Sequence, residues 1–300
     1  MVIFMTWEWK IGDPVDDANG GSMDAQNWTG DNYTDEKSSE SSFDNYKNEE
    51  YSKKAWEYYN DFRDEEALHY INLALDLYDR SSGDWNLKAL ILDSLKRFEE
   101  SEKCFDRSLS IYQNDEVSDN KARMLYRWAM NLLDESKKLS NGLDLLYDAR
   151  QKIIKSINTF SSKRDEADFS RCLYLKDSID YYIGYEKEFL KNLETLKCYD
   201  KSELFTVTGI NFYDASKKLN SGVPLRLLKE PDNEFDCDAI AVYVEDEKVG
   251  YVANNDYIKY DLTSGASELH DKMADICHGE FLFFLSRYSA VQFAIGRIIN

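Results

Sequence analysis

The feature that most constrains the fold is a pattern of large and small side chains that recurs every 34 residues between positions 51 and 109. Large residues repeat where two helices would face each other, and small residues repeat where two backbones must approach closely. The pattern therefore predicts pairs of helices that bury their apolar sides only by stacking on their neighbours. The matched positions are Tyr51 and Trp85, Ala55 and Ala89, Tyr58 and Leu92, Ala67 and Ser101, Ile71 and Phe105, Ala74 and Ser108, and Leu75 and Leu109.

This period and pattern resemble the tetratricopeptide repeat, with WNLKA at residues 85–89 as the clearest opening motif. We predict a third, less regular repeat with its first helix at residues 123–139 and its second helix carrying Gly142, Leu146 and Ala149, shifted by about seven inserted residues. Apolar residues at steps of three and four predict capping helices at residues 165–199. The resemblance implies a concave groove for a protein partner. The alternative is that these helices are a spacer or an oligomerisation surface.

The first 50 residues differ in composition from the rest of the chain. They carry twelve acidic residues against three basic ones, and few aliphatic residues. Such a segment buries too little apolar surface to offset the entropy lost when it becomes ordered. We therefore predict a disordered acidic tail at residues 1–50, helical repeats with capping helices at 51–200 and another domain at 203–300. Three tail tryptophans are either docking anchors or tolerated exposed rings: Trp7, Trp9 and Trp28.

The overall charge limits the partners of this chain. Its formal net charge is -20 and its pI is about 4.6, so bulk attraction to nucleic acid or to an anionic membrane is not expected. No run approaches the length of about eighteen apolar residues that a membrane span needs, and the N-terminus lacks the features of a signal peptide. Five widely spaced cysteines indicate reduced, mostly buried thiols. We predict a cytoplasmic protein without membrane contact.

Strand patterns replace helical ones after residue 203. Short runs of β-branched and aromatic residues predict strands at 204–210, 223–228, 239–244, 248–252, 280–285 and 291–298. Residues 264–276 have helical spacing, with Ser264 as the predicted N-cap. Six short strands and one helix favour a small barrel. The predicted fold class is a helical-repeat solenoid followed by a small, mostly β barrel.

One motif in this region is specific enough to point to a known family. Residues 229–251 read KEPDNEFDCDAIAVYVEDEKVGY, in which a Pro-Asp-Asn turn precedes a strand. Upstream lie Gly209 and the aromatic pair Phe212 and Tyr213. Five parts therefore occur in order. They are a glycine, an aromatic pair, a strand, the pattern E-P-x-N-x-F/Y-D-x-x-A-I-x-V and a final V-G-H/Y. These parts resemble the HIRAN domain over residues 205–299, and the resemblance implies an SH3-like or OB-like barrel.

The HIRAN resemblance also implies a function, the capture of the 3′ end of single-stranded DNA. Aromatic rings would stack on the last bases, and an aspartate would accept a hydrogen bond from the free 3′ hydroxyl. At the matching positions stand two stacking phenylalanines, the aspartate, an asparagine in the turn beside it and two flanking tyrosines: Phe212, Phe235, Asp236, Asn233, Tyr213 and Tyr251. The phenylalanines would equally suit a barrel core, and the aspartate would equally cap a turn.

The sequence departs from DNA-binding members of the family in its charge. Asn211 stands where they have a basic residue, and Ala253 and Asn254 stand where a lysine would help to hold phosphate. Residues 201–300 carry ten basic and sixteen acidic residues, so few cations can release counterions from a phosphate chain. Three residues are candidates for a small basic patch: Arg226, Lys229 and Lys248. We therefore expect binding that is weak or confined to the end of a strand.

No catalytic motif accompanies these features. The sequence has neither G-x-x-x-x-G-K-S/T nor G-x-G-x-x-G, and His270, Cys277 and His278 lack the spacing of a metal site. We predict no enzyme activity, no cofactor and no metal. The function expected is a nucleic-acid-binding adaptor for DNA repair or replication, in which the barrel captures a 3′ end and the repeats bind a protein. The alternative is a protein-interaction scaffold whose barrel no longer binds DNA.

Overall fold

The computed structural model describes residues 39–161, 166–287 and 292–299. Its N-terminal part consists of helices. They are α1 (Ser39–Asn60), α2 (Asp64–Leu77), α3 (Ser82–Ser94), α4 (Phe98–Ile111), α5 (Asp115–Lys138), α6 (Leu143–Thr159) and α7 (Glu166–Leu196). The predicted helical repeats are confirmed as helical architecture, whereas their assignment to the tetratricopeptide family stays a prediction.

The first six helices form three consecutive pairs, α1 with α2, α3 with α4 and α5 with α6. Each pair is tied at the same point by a side chain that donates to the backbone of the partner helix. These bonds run from Asn48 Nδ2 to Ala74 O (2.8 Å), from Ser108 Oγ to Ser82 O (2.8 Å) and from Ser156 Oγ to Ala122 O (2.7 Å). The third pair thus repeats the first two. Its bonded residues are 34 apart instead of 26, mainly because α5 and α6 extend further beyond the bonded residues than α3 and α4 do.

Two helices begin earlier than predicted. Helix α1 starts at Ser39, so the predicted disordered tail is wrong for residues 39–50, and residues 1–38 with their three tryptophans lie outside the described residues. The prediction failed because polar residues were taken as a sign of disorder. Asn48 is polar, but it is buried and bonds to Ala74 of α2. Helix α5 starts at Asp115 and not at residue 123, because Asn114 caps it by accepting a hydrogen bond from Glu116 N (2.8 Å).

Helix α7 closes the helical array and also contacts the barrel. Its N-terminal half packs Cys172 and Ile179 against Leu146 and Ile153 of α6. Residues 165–199 were predicted to form several capping helices, but the described part is one helix. Its C-terminal end joins a second cluster with the barrel, which contains Leu196, Leu204, Leu282, Leu285 and Ile295. The two domains therefore touch.

The C-terminal part is a closed six-stranded antiparallel barrel with one short helix, which confirms the predicted fold class. The elements are β1 (Leu204–Thr208), β2 (Pro224–Lys229), β3 (Ile240–Val244), β4 (Glu247–Val252), α8 (Ala266–His270), β5 (Ile276–Leu285) and β6 (Phe293–Ile299). Around the barrel, the order of the strands is β1-β4-β3-β2-β5-β6, and β6 pairs with β1 to close it.

The predicted helix at residues 264–276 is wrong in its second half. Helix α8 ends at His270, its N-cap is Gly265 and not Ser264, and β5 already begins at Ile276. Ile276 pairs with Leu228 of β2, and Cys277 pairs with Leu227. Helical spacing of apolar residues is a local signal, and it was overridden here by pairing with a distant strand.

No helix among the described residues is long and apolar enough to cross a membrane. The five cysteines form no disulfide, but the prediction of mostly buried thiols is only partly right. Cys104 and Cys172 are buried, Cys277 is half-buried, and Cys198 and Cys237 are exposed.

The thiols are expected to differ in reactivity. Burial raises the pKa of Cys104 to about 11 and also raises that of Cys172. A raised pKa leaves less thiolate at pH 8, and the thiolate is the nucleophile. In native protein treated with iodoacetamide and followed by mass spectrometry, Cys198 and Cys237 should therefore label first. All five should label alike in urea. Fast native labelling of Cys104 would contradict its burial in the helical core.

Candidate nucleic-acid interface

The turn after β1 displays an aromatic pair. Gly209 has φ 81°, a backbone conformation that favours glycine, and its carbonyl accepts hydrogen bonds from Phe212 N (2.9 Å) and Tyr213 N (3.3 Å). Tyr213 is half-buried beside Gly209, whereas the Phe212 side chain is 86% exposed. The two rings meet edge to face, with centroids 5.0 Å apart. The turn therefore holds Phe212 outside the barrel, so its interpretation as a core residue is wrong.

The turn between β2 and β3 displays a second phenylalanine. Asn233 organises this turn, because its Oδ1 accepts hydrogen bonds from Phe235 N (3.0 Å) and Asp236 N (3.3 Å). Its backbone N donates to Glu230 O (3.0 Å), which closes the turn. The Phe235 side chain is 95% exposed, so this ring also is not part of the core.

Asp236 is held in a defined position by two donors. Its Oδ1 accepts a hydrogen bond from Asp238 N (2.9 Å), and its Oδ2 accepts one from Asn254 Nδ2 (3.0 Å). Asp236 therefore does cap its turn, as the alternative interpretation predicts, but this uses only part of its hydrogen-bonding capacity. A carboxylate offers about four acceptor positions, so two remain for another donor. Because Asp236 is only half-buried, a ligand hydroxyl is able to reach it.

A charged network lies beneath the two turns. Lys248 Nζ donates to Glu230 Oε1 (2.6 Å) and to Tyr251 OH (2.9 Å), and Tyr251 OH donates to Glu230 Oε2 (3.0 Å). Asn233 Nδ2 donates to the same Oε2 (3.2 Å). Partial burial alone would raise the pKa of Glu230, but the hydrogen bonds from Lys248, Asn233 and Tyr251 outweigh it and leave that pKa below its ordinary value. Glu230 therefore stays ionised at neutral pH and ties the Asn233 turn to Lys248 and Tyr251 of β4.

The network joins the predicted site residues into one connected group. The rings of Tyr213 and Tyr251 lie 6.4 Å apart between centroids, and partial burial followed by the contact with Tyr251 raises the pKa of Tyr213. Contacts thus run from Phe212 through the two tyrosines to Glu230 and on to the turn of Asn233. All six predicted residues belong to this group. Sequence reasoning did not assign a role to Glu230, although it lies in the motif, and treated Asn254 only as a missing lysine.

The basic residues near the site are largely neutralised. Arg226 lies 3.6 Å from Asp246, Lys248 is paired with Glu230, and Lys218 is paired with Glu247. Of the three residues in the predicted basic patch, only Lys229 makes no salt bridge within the described part of the chain. The surface therefore offers little positive charge to a phosphate chain.

The structure does not bring His270, Cys277 and His278 together. In the described ranges, the group of three possible metal ligands whose ligand atoms lie within 4.8 Å of one another is Asp236, Cys237 and Asp238. Exposed carboxylates of this kind are common on protein surfaces without an ion. The Asp236 carboxylate already accepts a hydrogen bond from the backbone N of Asp238 (2.9 Å), and no further His, Cys, Asp or Glu of the described residues joins this group.

The fold and the site define a class of protein, a helical array joined to a small closed barrel that displays aromatic rings beside a carboxylate. The family model of the HIRAN domain matches residues 202–260, which identifies a HIRAN domain in this chain and supports nucleic-acid binding as the class of function. All six site residues lie within the match. The match ends before α8, β5 and β6, although these elements close the barrel. No curated protein matches the chain.

Proposed function

We propose that the barrel captures the 3′ end of single-stranded DNA while the helical repeats bind a protein partner. The protein acts as a non-catalytic adaptor in DNA repair or replication, in the cytoplasm. The observation that carries this proposal is the exposure of Phe212 (86%) and Phe235 (95%) on two ordered turns that meet through the network around Glu230.

The exposed rings suit bases better than they suit a folded core. A phenylalanine left in water forgoes about 1.5 to 3 kcal/mol of burial free energy, so two ordered and exposed rings indicate a binding surface. Stacking of a base on an aromatic ring contributes roughly 1 to 3 kcal/mol and tolerates any sequence. It requires no positive charge, which agrees with the neutralised surface.

Asp236 supplies the feature that selects a strand end. The free acceptor positions of its carboxylate favour a hydroxyl donor, and a hydrogen bond to a charged group contributes about 1.5 to 3 kcal/mol. A 3′ phosphate has no such hydroxyl and carries negative charge, so it is repelled. The expected ligand is therefore a strand with a free 3′ hydroxyl.

This proposal predicts a defined preference. Fluorescence anisotropy at low salt should show that the wild type binds a free 3′ hydroxyl about 10-fold or more tightly than a 3′ phosphate, and that Asp236→Ala brings the ratio close to one. The ratio is the readout because Asp236 also caps its turn. Asp232→Ala is the matched control, since Asp232 is exposed in the same turn and its replacement removes the same charge. Equal binding of both ends by the wild type would refute end capture.

A second function, a protein-interaction scaffold whose barrel does not bind DNA, is favoured by the charge. The net charge is -20, and Arg226, Lys218 and Lys248 beside the site are paired with acids. Purification of the full chain after nuclease treatment separates the two functions. A protein that stays bound in stoichiometric amount, together with absence of any strand binding at low salt, supports the scaffold over DNA capture.

A further inference from the structure

An open concavity adjoins the candidate interface. It is lined by Asn254, Asn255, Asp256 and Tyr257, in the segment that follows β4. Asn254 joins it to the aspartate of the site, because its Nδ2 donates to Asp236 Oδ2 (3.0 Å) and to Ser267 Oγ (2.8 Å). The concavity therefore begins one side chain away from the carboxylate that we assign to the 3′ hydroxyl.

Tyr257 is displayed at this concavity by an ordered turn. Its side chain is 93% exposed, and among the described residues its ring makes no contact with another ring or with a cation. Its backbone is fixed, since Tyr257 N donates to Asn255 Oδ1 (2.8 Å) and Lys259 N donates to Asn255 O (2.9 Å). The Lys259 side chain is only 10% exposed and lies 3.3 Å from Asp256 and 3.8 Å from Glu268. An ordered support thus presents an unused aromatic face.

We propose that this concavity is a further nucleotide subsite, in which one base of a single strand stacks on the Tyr257 ring. The inference rests on the proposed capture of a 3′ end and adds one base to those that stack on Phe212 and Phe235. Continuity with Asp236 through Asn254 favours a nucleotide of the same strand as the occupant.

The lining chemistry suits a base and not a phosphate. Asp256 is 92% exposed, so it disfavours a second negative charge, whereas the face of a base is uncharged. Asn255 Nδ2 makes no hydrogen bond within the described residues, and it is a donor for the oxygen or nitrogen atoms on a base edge. A ring and one amide donor are the elements of recognition that this subsite provides.

The test uses the full chain and 3′-hydroxyl oligonucleotides of two to six nucleotides in competition anisotropy. Tyr257→Ala should weaken binding of the longer strands by about 5- to 150-fold, which is the loss of one stacked base. Tyr257→Phe keeps the ring and should bind like the wild type. Tyr112→Ala removes a tyrosine that is 64% exposed on the helical part, and it should have no effect. The loss should be equal at low and high salt, because stacking releases no counterions.

The outcomes separate this inference from the function on which it rests. If Tyr257→Ala binds like the wild type while Asp236→Ala loses the preference for a free 3′ hydroxyl, end capture stands and the subsite is wrong. If the wild type binds no strand, both are wrong. A loss that Tyr257→Phe shares with Tyr257→Ala overturns stacking and assigns the effect to the hydroxyl. A loss in Tyr257→Ala alone, of equal size at low and high salt, supports the subsite, whereas a loss that shrinks as salt rises overturns stacking.

Discussion

Replacing Arg287 with methionine is expected to lower the free energy of unfolding by about 3 to 5 kcal/mol. Arg287 follows β5 of the barrel, and its guanidinium donates to both carboxylate oxygens of Glu186 on α7, at 3.0 and 2.8 Å. The Glu186 side chain is 0% exposed and also accepts a hydrogen bond from Gly142 N (3.1 Å), at the start of α6. Removal of the guanidinium leaves a fully buried carboxylate without this cation, which is far less favourable than an exposed one.

The control is an exposed ion pair between an arginine and a carboxylate of the same α7 helix. Arg150 on α6 lies 2.6 Å from Asp180 on α7, and the two side chains are 42% and 36% exposed. Arg150→Met should therefore lower the free energy of unfolding by less than about 1 kcal/mol. Urea unfolding followed by circular dichroism measures both variants. Similar small changes for both would show that Arg287 does not neutralise a buried charge.

A double variant identifies the cause of the loss. If the charge left on Glu186 is responsible, Glu186→Gln combined with Arg287→Met should be more stable than Arg287→Met alone, because no buried charge remains. If lost packing is responsible, the double variant should be at least as unstable. Tryptophan fluorescence adds a local readout, since the described tryptophans, Trp56, Trp85 and Trp128, all lie in the helical part.

The helical pairs were predictable because their signal is local and repeated. Small residues recur where the helices of a pair meet, at Ala67, Ser101 and Ala149. The third pair was harder to recognise, because its bonded residues Ala122 and Ser156 are 34 apart where Ser82 and Ser108 are 26 apart. The extra residues lie mostly in the helices themselves, because the connecting segments 95–97 and 139–142 are almost equally short. The period of the sequence therefore changes, although the two helices still pack as a pair.

The parts of the fold that the sequence did not predict depend on distant contacts. Asn48 and Ser52 are polar residues inside α1 that are buried in the helical array, and Asn48 bonds to Ala74 of α2 and Asp84 of α3. The start of β5 at Ile276 is decided by pairing with β2. Glu186 and Arg287 are 101 residues apart, so no local pattern indicates their ion pair.

The same limit applies to the candidate site. The motif located Asp236 and both phenylalanines, because its residues are close together in the chain. It did not decide whether the rings lie inside or outside the barrel, since aromatic residues at strand ends occur in both places. The turn hydrogen bonds of Asn233 and Gly209 decide this in the structure. In the sequence, Asn254 was noted only because it replaces a lysine. In the structure, its side chain donates a hydrogen bond to the Asp236 carboxylate.

The double variant Phe212→Ala, Phe235→Ala is expected to bind single-stranded DNA at least about 30-fold more weakly than the wild type. The loss of two stacked bases at roughly 1 to 3 kcal/mol each gives this lower limit. Its stability should stay within about 0.5 kcal/mol of the wild type, because both side chains are almost fully exposed and contribute little to the core. Anisotropy with a free 3′ end and urea unfolding measure the two effects on the same samples.

Phe205 on β1 is a buried phenylalanine and serves as the comparison for the two exposed ones. Its side chain is 0% exposed, and its ring fills the space beside Gly296, so Phe205→Ala should lower the free energy of unfolding by about 3 to 5 kcal/mol. In the fraction that remains folded, binding should be unchanged, since Phe205 is inside the barrel. The two variants therefore distinguish phenylalanine rings that contribute to DNA binding from a ring that contributes to the stability of the barrel. If the double variant lost stability instead of affinity, the exposed phenylalanines would be structural and the search for a ligand would move to the helical pairs.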